Sequence, residues 1–154
     1  MNKQYRQSLG YLAQTGTLKG IGVFASRAIA SGEVVEVSPV VQLKSDFDEM
    51  EVELQRRVFS WERLASISGT SAFALGYGSL YNHANPANML YTSDLAGTAI
   101  KFIAARAIRL GEELTINYNG TGGAQVSTED IWFEKCDVVP LQSAASFVQS
   151  IPDE

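Results

Sequence analysis

The sequence predicts a mainly β domain, a strand-rich α+β fold of several small sheets with one or two short helices. Three observations carry the prediction. Short runs of β-branched and aromatic residues recur along the chain, each bounded by Gly, Asn, Pro or Ser. Glycine-centred turns separate them, "IASGEV" around Gly32 and "IRLGEE" around Gly111. One segment alone, "SDFDEMEVELQRR", carries both start and stop signals of a good helix.

Taken in order, "GIGVFAS" is a short apolar run that follows a glycine-flanked turn, and it predicts a strand. "EVVEVSPVVQL" is a valine-rich strand broken by Pro39. "SDFDEMEVELQRR" reads as a helix capped by Ser45 or Asp46, with acidic residues in its first turn and arginines near its end. "RRVFSWE" alternates Val58 and Ser60 against Phe59 and Trp61, a strand pattern. "SAFALG", "NMLYTS", "TAIKFIAA" and "ELTINYN" are further strands. A weak second helix starts at Ser127 in "STEDIWFEKC", after the flexible loop "GTGGAQVST". The tail from Gln142 is expected to fray. No repeat of 20–50 residues is visible.

Composition narrows the function. The 154 residues fit one domain, large enough to bury a core without disulfides or metal. No run of about 18 apolar residues exists, and the N-terminus lacks the apolar stretch of a signal peptide. A soluble protein of the cytoplasm is expected, or of the nucleus if the source is eukaryotic. One cysteine, Cys136, makes no internal disulfide. One histidine, His83, and one cysteine supply no zinc set, and no calcium-loop spacing occurs, so no metal is expected. The net charge of −5 argues against a nucleic-acid surface. It suits a cationic ligand or a basic peptide.

Three segments carry the chemistry: "GIGVFASRAIASGE", "YGSLYNHANPAN" and "GEELTINY". Each alone reads as an ordinary turn. The first is not a dinucleotide fingerprint, because a third glycine is missing and a strand pattern follows. In this order and spacing the three resemble a stand-alone SET domain, the lysine methyltransferase fold that uses S-adenosylmethionine. The resemblance runs from about Lys19 to Tyr118, roughly two-thirds of the chain, and is most specific in "ALGYGSLYNH" and "GEELTINYN". It implies one SET domain over residues 1–154, with a core at about 19–119, a knot-like C-terminal arrangement, and a lid and tail at 120–154. It also implies that Asn82 and His83 hold the cofactor, by backbone and asparagine side chain. Gly20, Ile21 and Gly22 would line its methionine end, and Asn88 would close the motif. Tyr118 matches the catalytic tyrosine, which also borders the cofactor. Glu112 and Glu113 match structural acidic positions. Ala84 stands where the family usually has Ser, and Ala87 separates Pro86 from Asn88. The family's cysteine-rich cluster after the tyrosine is absent, so Trp132 and Phe133 are expected to cover the substrate channel with Tyr77, Tyr81 and Ile116.

The chemistry agrees with such a channel. A lysine amine has an ordinary pKa of about 10.4, and a dry aromatic wall disfavours its charged form. Alignment of amine and methyl, worth about 7–11 kcal/mol, is the larger contribution. Two other readings stay open. One is a catalytically inactive SET-fold module that binds peptides. The other is an unrelated β-rich binding protein whose motifs are turns.

Overall fold

The computed structural model describes residues 5–94 and 96–118. Strand β1 (Gly10–Gln14) pairs antiparallel with β2 (Ile21–Ala25) in a two-stranded sheet. β3 (Val34–Leu43) leads to a single 3-10 turn (Phe47–Glu49) and a one-turn helix, α1 (Val52–Gln55). Next come β4 (Val58–Ser60), α2 (Trp61–Ala65), β5 (Ser71–Ala74) and a second 3-10 turn (Gly78–Leu80). β6 (Asn82–His83), β7 (Met89–Ser93), β8 (Ala99–Ala104) and β9 (Thr115–Ile116) complete the described part. A five-stranded sheet has the order β4-β5-β3-β8-β7, and β6 pairs with β9 in a third sheet. Val23, Val35, Met89, Ile100, Phe102 and Leu114 are wholly buried where the sheets meet.

Pro39 does not break β3. The strand runs through it and changes partners after it, pairing β8 up to and including Pro39 and β5 from Val40 on. A residue without an N–H is tolerated because the Pro39 carbonyl still works, accepting from the Leu75 N–H at 2.9 Å. The helix expected over residues 45–57 is also corrected. Only its two short pieces form, and the proposed cap Asp46 makes no side-chain capping bond. Met50, at ψ 151°, is extended and turned into the core between them. Burying that methionine outweighs a continuous helix whose other face would be charge and solvent. The strand expected over "RRVFSWE" stops at Ser60. Its hydroxyl accepts from the Arg63 N–H, starts α2, and buries Trp61 completely.

The chain carries a short repeat, below the 20–50-residue periods of solenoids. "RAIASGE" (27–33) and "RAIRLGE" (106–112) fold alike. In each, the arginine binds the carbonyl of the next alanine and pairs with the glutamate at the turn's end. The same glutamates accept from the backbone N–H of Ala30 and Arg109 at 3.0 and 2.9 Å. The two turns grip each other. Ile29 and Ile108 exchange both backbone hydrogen bonds at 2.9 Å, Gly32 donates to Ala104, and Gly111 donates to Ala25. Gly32 and Gly111 sit at φ 82° and 80°, where a side chain would be strained. This mutual clamp brings "GEELT" back beside the glycine turn, where the Phe24–Glu113 bridge forms.

Candidate functional site

The loop around the single histidine is itself structured. Asn82 and His83 form β6, parallel to Thr115 and Ile116 of β9. Asn88 fixes this pairing. Its side chain accepts from the Thr115 N–H at 2.9 Å and donates to the Glu113 carbonyl at 2.7 Å. Tyr118, two residues past β9, therefore lands beside the histidine. Its N–H donates to His83 Nδ1 at 3.1 Å, and the rings lie 5.2 Å apart. His83 is 3% exposed. Burial, and then the nearby Lys19 charge, push its pKa down to about 4. The imidazole is thus neutral at ordinary pH, as an acceptor at Nδ1 requires.

The Tyr118 hydroxyl donates to the Tyr81 carbonyl at 2.8 Å. Burial holds its pKa well above that of a free tyrosine, while the Arg57 charge pulls the other way. Tyr81 is in turn locked from below. Its hydroxyl donates to Glu36 at 2.7 Å and shares a hydrogen bond with Ser8 at 2.8 Å. Glu36 is a buried carboxylate whose pKa burial raises, opposed by its bonds from Tyr81 and from the Tyr77 N–H. Gly76 makes room for it: a Cβ there would stand 2.4 Å from Glu36 Oε2.

On the other side of β6, Asn82 Nδ2 donates to the Ile21 carbonyl at 3.1 Å and to Glu113 Oε1 at 2.8 Å. Gly22 lies beneath, where a Cβ would come within 2.7 Å of that carboxylate. Lys19 Nζ donates to the His83 carbonyl at 3.0 Å, its pKa lowered by burial. The glycine turn, Asn82, His83 and Tyr118 are therefore brought together, with Gly20 at φ 74° closing the turn.

A cavity of about 870 Å³ opens on the Tyr118 side. Tyr81, Ile116 and Tyr118 line it, along with Phe59 and Tyr91, which the motif reading did not include. Tyr91 donates its hydroxyl to the Asn117 carbonyl at 2.9 Å, and burial pushes its pKa up to about 12. Tyr77, expected on the channel, does not line this cavity; it packs against the core, and its N–H donates to Glu36 at 3.0 Å. Trp132 and Phe133, the Ser127 helix, Cys136 and the lid-and-tail segment lie outside the described residues. Lys19, Glu36 and Tyr91 escaped the motif reading altogether. Glu36 had a signal, a lone acid set within the valine run of "EVVEV". A carboxylate at such a position demands partners.

Comparison with known proteins identifies the family. The SET domain family model matches residues 20–119. A Schizosaccharomyces pombe protein named histone-lysine N-methyltransferase, H3 lysine-37 specific, is 31% identical over 116 residues, 75% of this chain and 71% of that one. Among solved structures, a Plasmodium falciparum protein described as a candidate histone methyltransferase superposes with a TM-score of 0.58 at 24% identity, over 73% of this chain and 95% of that one. A humanized mutant of the Chaetomium thermophilum Polycomb Repressive Complex 2 gives 0.55 at 23% identity, over 73% and 15%. The chain belongs to the SET-domain family of protein-lysine methyltransferases.

Proposed function

We propose that the chain transfers a methyl group from S-adenosylmethionine to the side-chain amine of a lysine in a protein. The observation that carries this is the juxtaposition at β6. Asn82 meets the glycine turn through the Ile21 carbonyl, and His83 meets the backbone N–H and ring of Tyr118, a tyrosine that lines an aromatic cavity. The polar groups fit the cofactor. Lys19, bonded to the His83 carbonyl, and Glu113, bonded to Asn82, offer opposite charges suited to the carboxylate and ammonium of a methionine end. When bound, S-adenosylmethionine supplies an electrophilic methyl on a sulfonium.

The chain's own residues do the rest. Phe59, Tyr81 and Tyr91 make a wall that favours the neutral amine over the ammonium. Tyr118 stays protonated across the working pH range because its pKa is raised, so its hydroxyl is a fixed dipole held by the Tyr81 carbonyl. No strong general base is required, since the lysine proton can leave to water before transfer.

Titration calorimetry with S-adenosylmethionine, with and without a chelator, tests cofactor binding. Binding at micromolar ligand that survives chelation is expected; no heat at millimolar ligand rejects it. Radiolabelled transfer into whole-cell extract, followed by peptide mapping, tests the reaction. Label on lysine supports it, and label on no protein despite cofactor binding favours an inactive SET-fold module. The whole-chain charge of −5 suggested a basic substrate segment. Six of the 17 acidic side chains, but one of the 12 basic ones, lie in residues 119–154, outside the described residues.

A further inference from the structure

The cavity has two unlike walls. Tyrosines 81, 91 and 118 form one, near the reacting end. The other is built by residues 44–71, between β3 and β5, and it is cationic: Lys44, Arg56, Arg57 and Arg63 stand against Asp46 and Glu62. Arg56 is matched by Glu53 at 3.3 Å. Lys44, Arg57 and Arg63 make no ion pair among the described residues, and all three side chains are exposed to solvent. The two arginines matter most, because their charges are the ones felt at the tyrosine wall. Arg57 acts on the Tyr118 hydroxyl and Arg63 on the Tyr91 hydroxyl, each opposing the effect of burial.

A substrate entering this cavity presents its lysine to Tyr118. A second cation beside that lysine would meet Arg57 and Arg63 and be repelled; a carboxylate would meet two guanidiniums suited to bidentate binding. Resting on the methyl-transfer reading above, we propose that the cationic wall selects lysines with an Asp or Glu close by in the substrate sequence, the carboxylate being received by Arg57 and Arg63. The same arrangement serves the reaction. Arg57 disfavours a charged amine at Tyr118, and the substrate's own carboxylate restores attraction without sitting at the reacting nitrogen.

The test uses the full chain, S-adenosylmethionine and three lysine peptides that differ in flanking residues: Glu, Gln or Arg. Both anisotropy binding and methyl transfer are measured. The Glu peptide is expected to bind and turn over with kcat/KM about tenfold above the Gln peptide, with the Arg peptide lowest. Arg57→Gln and Arg63→Gln should each flatten the ranking, and the double change to Glu should invert it, with cofactor affinity checked to show that the fold is intact. A Glu preference in binding with no methylation of any peptide keeps this inference and rejects methyl transfer. Equal binding of the three peptides, preference for Arg, or a ranking unmoved by the arginine changes overturns it.

Discussion

The Tyr118 hydroxyl spends its proton on the Tyr81 carbonyl, and that bond sets what its removal should do. Tyr118→Phe loses one hydrogen bond and one oxygen, so stability should fall by only about 1 kcal/mol. If the hydroxyl aligns the reacting groups, kcat should drop roughly 10²–10³-fold with little change in cofactor affinity. Single-turnover kinetics beside a cofactor titration separate the two; a wild-type kcat in this variant removes the tyrosine from the mechanism. His83 behaves differently. Its folded pKa of about 4 lies below the ordinary 6.5, so its contribution is complete above about pH 6.5 and is lost as pH falls toward 4. The loss reaches roughly 3 kcal/mol at most. His83→Gln keeps an acceptor for the Tyr118 N–H and does not titrate. Denaturant midpoints across this range should decline in the wild type and stay flatter in the variant. Equal slopes would mean that other groups govern the decline. Glu33 is held down at about 2 by Arg27, so its contribution is complete above about pH 4.5 and is lost as pH falls toward 2, mostly below this window. The sequence identified these residues by type and spacing. It did not reveal the hydrogen bonds of Tyr118 to Tyr81 and His83, because partners 35 and 37 positions apart meet only once β9 lies along β6.

Elements were legible where one face was dry and the local chemistry was unopposed. β2, β5, β7 and β8 follow their apolar runs closely, since an alternating or β-branched stretch has few other ways to bury itself. Residues 45–65 were misread because helix signals and strand signals there compete with burial of Met50 and Trp61, which no local pattern weighs. β1 was missed too; Tyr11 and Leu12 stay exposed, so its apolar residues do not mark a buried face. The paired turns add a tertiary device that is short in sequence yet central to the fold. Ile29 and Ile108 are each 2% exposed and bonded to one another. Ile108→Ala should cost about 2–4 kcal/mol in urea denaturation. Ile29→Ala should cost a similar amount, and the double variant should fall short of the sum, because each change loosens the contact that the other also relies on. Strict additivity would show two independent turns rather than a clamp.

The whole molecule divides its charge unevenly. Residues from 119 onward carry six acidic side chains and one basic one, while residues 5–118 carry 11 acidic and ten basic. Net charge read over the whole chain suggested steering of a basic partner; among the described residues, Arg57 and Arg63 line the cavity, make no ion pair and act on Tyr118 and Tyr91. Attraction to the arginine wall and repulsion by the acidic residues respond to salt with opposite effects on KM. The Debye length shrinks from about 10 Å at 0.1 M to about 3 Å at 1 M, so distant charges are screened first. For an acidic-flanked lysine peptide the two sources oppose each other, and the sign of the salt effect tells which governs. If the arginine wall dominates, raising salt from about 0.05 to 0.5 M should increase KM several-fold while kcat holds, since these charges act on encounter and binding rather than on methyl transfer. If the acidic residues from 119 onward dominate, screening should lower KM instead. Initial-rate measurements at several salt concentrations decide it, with a Gln-flanked peptide as the uncharged reference whose KM should move little. A KM for the acidic peptide that tracks the reference throughout would mean that neither set of charges reaches the bound substrate.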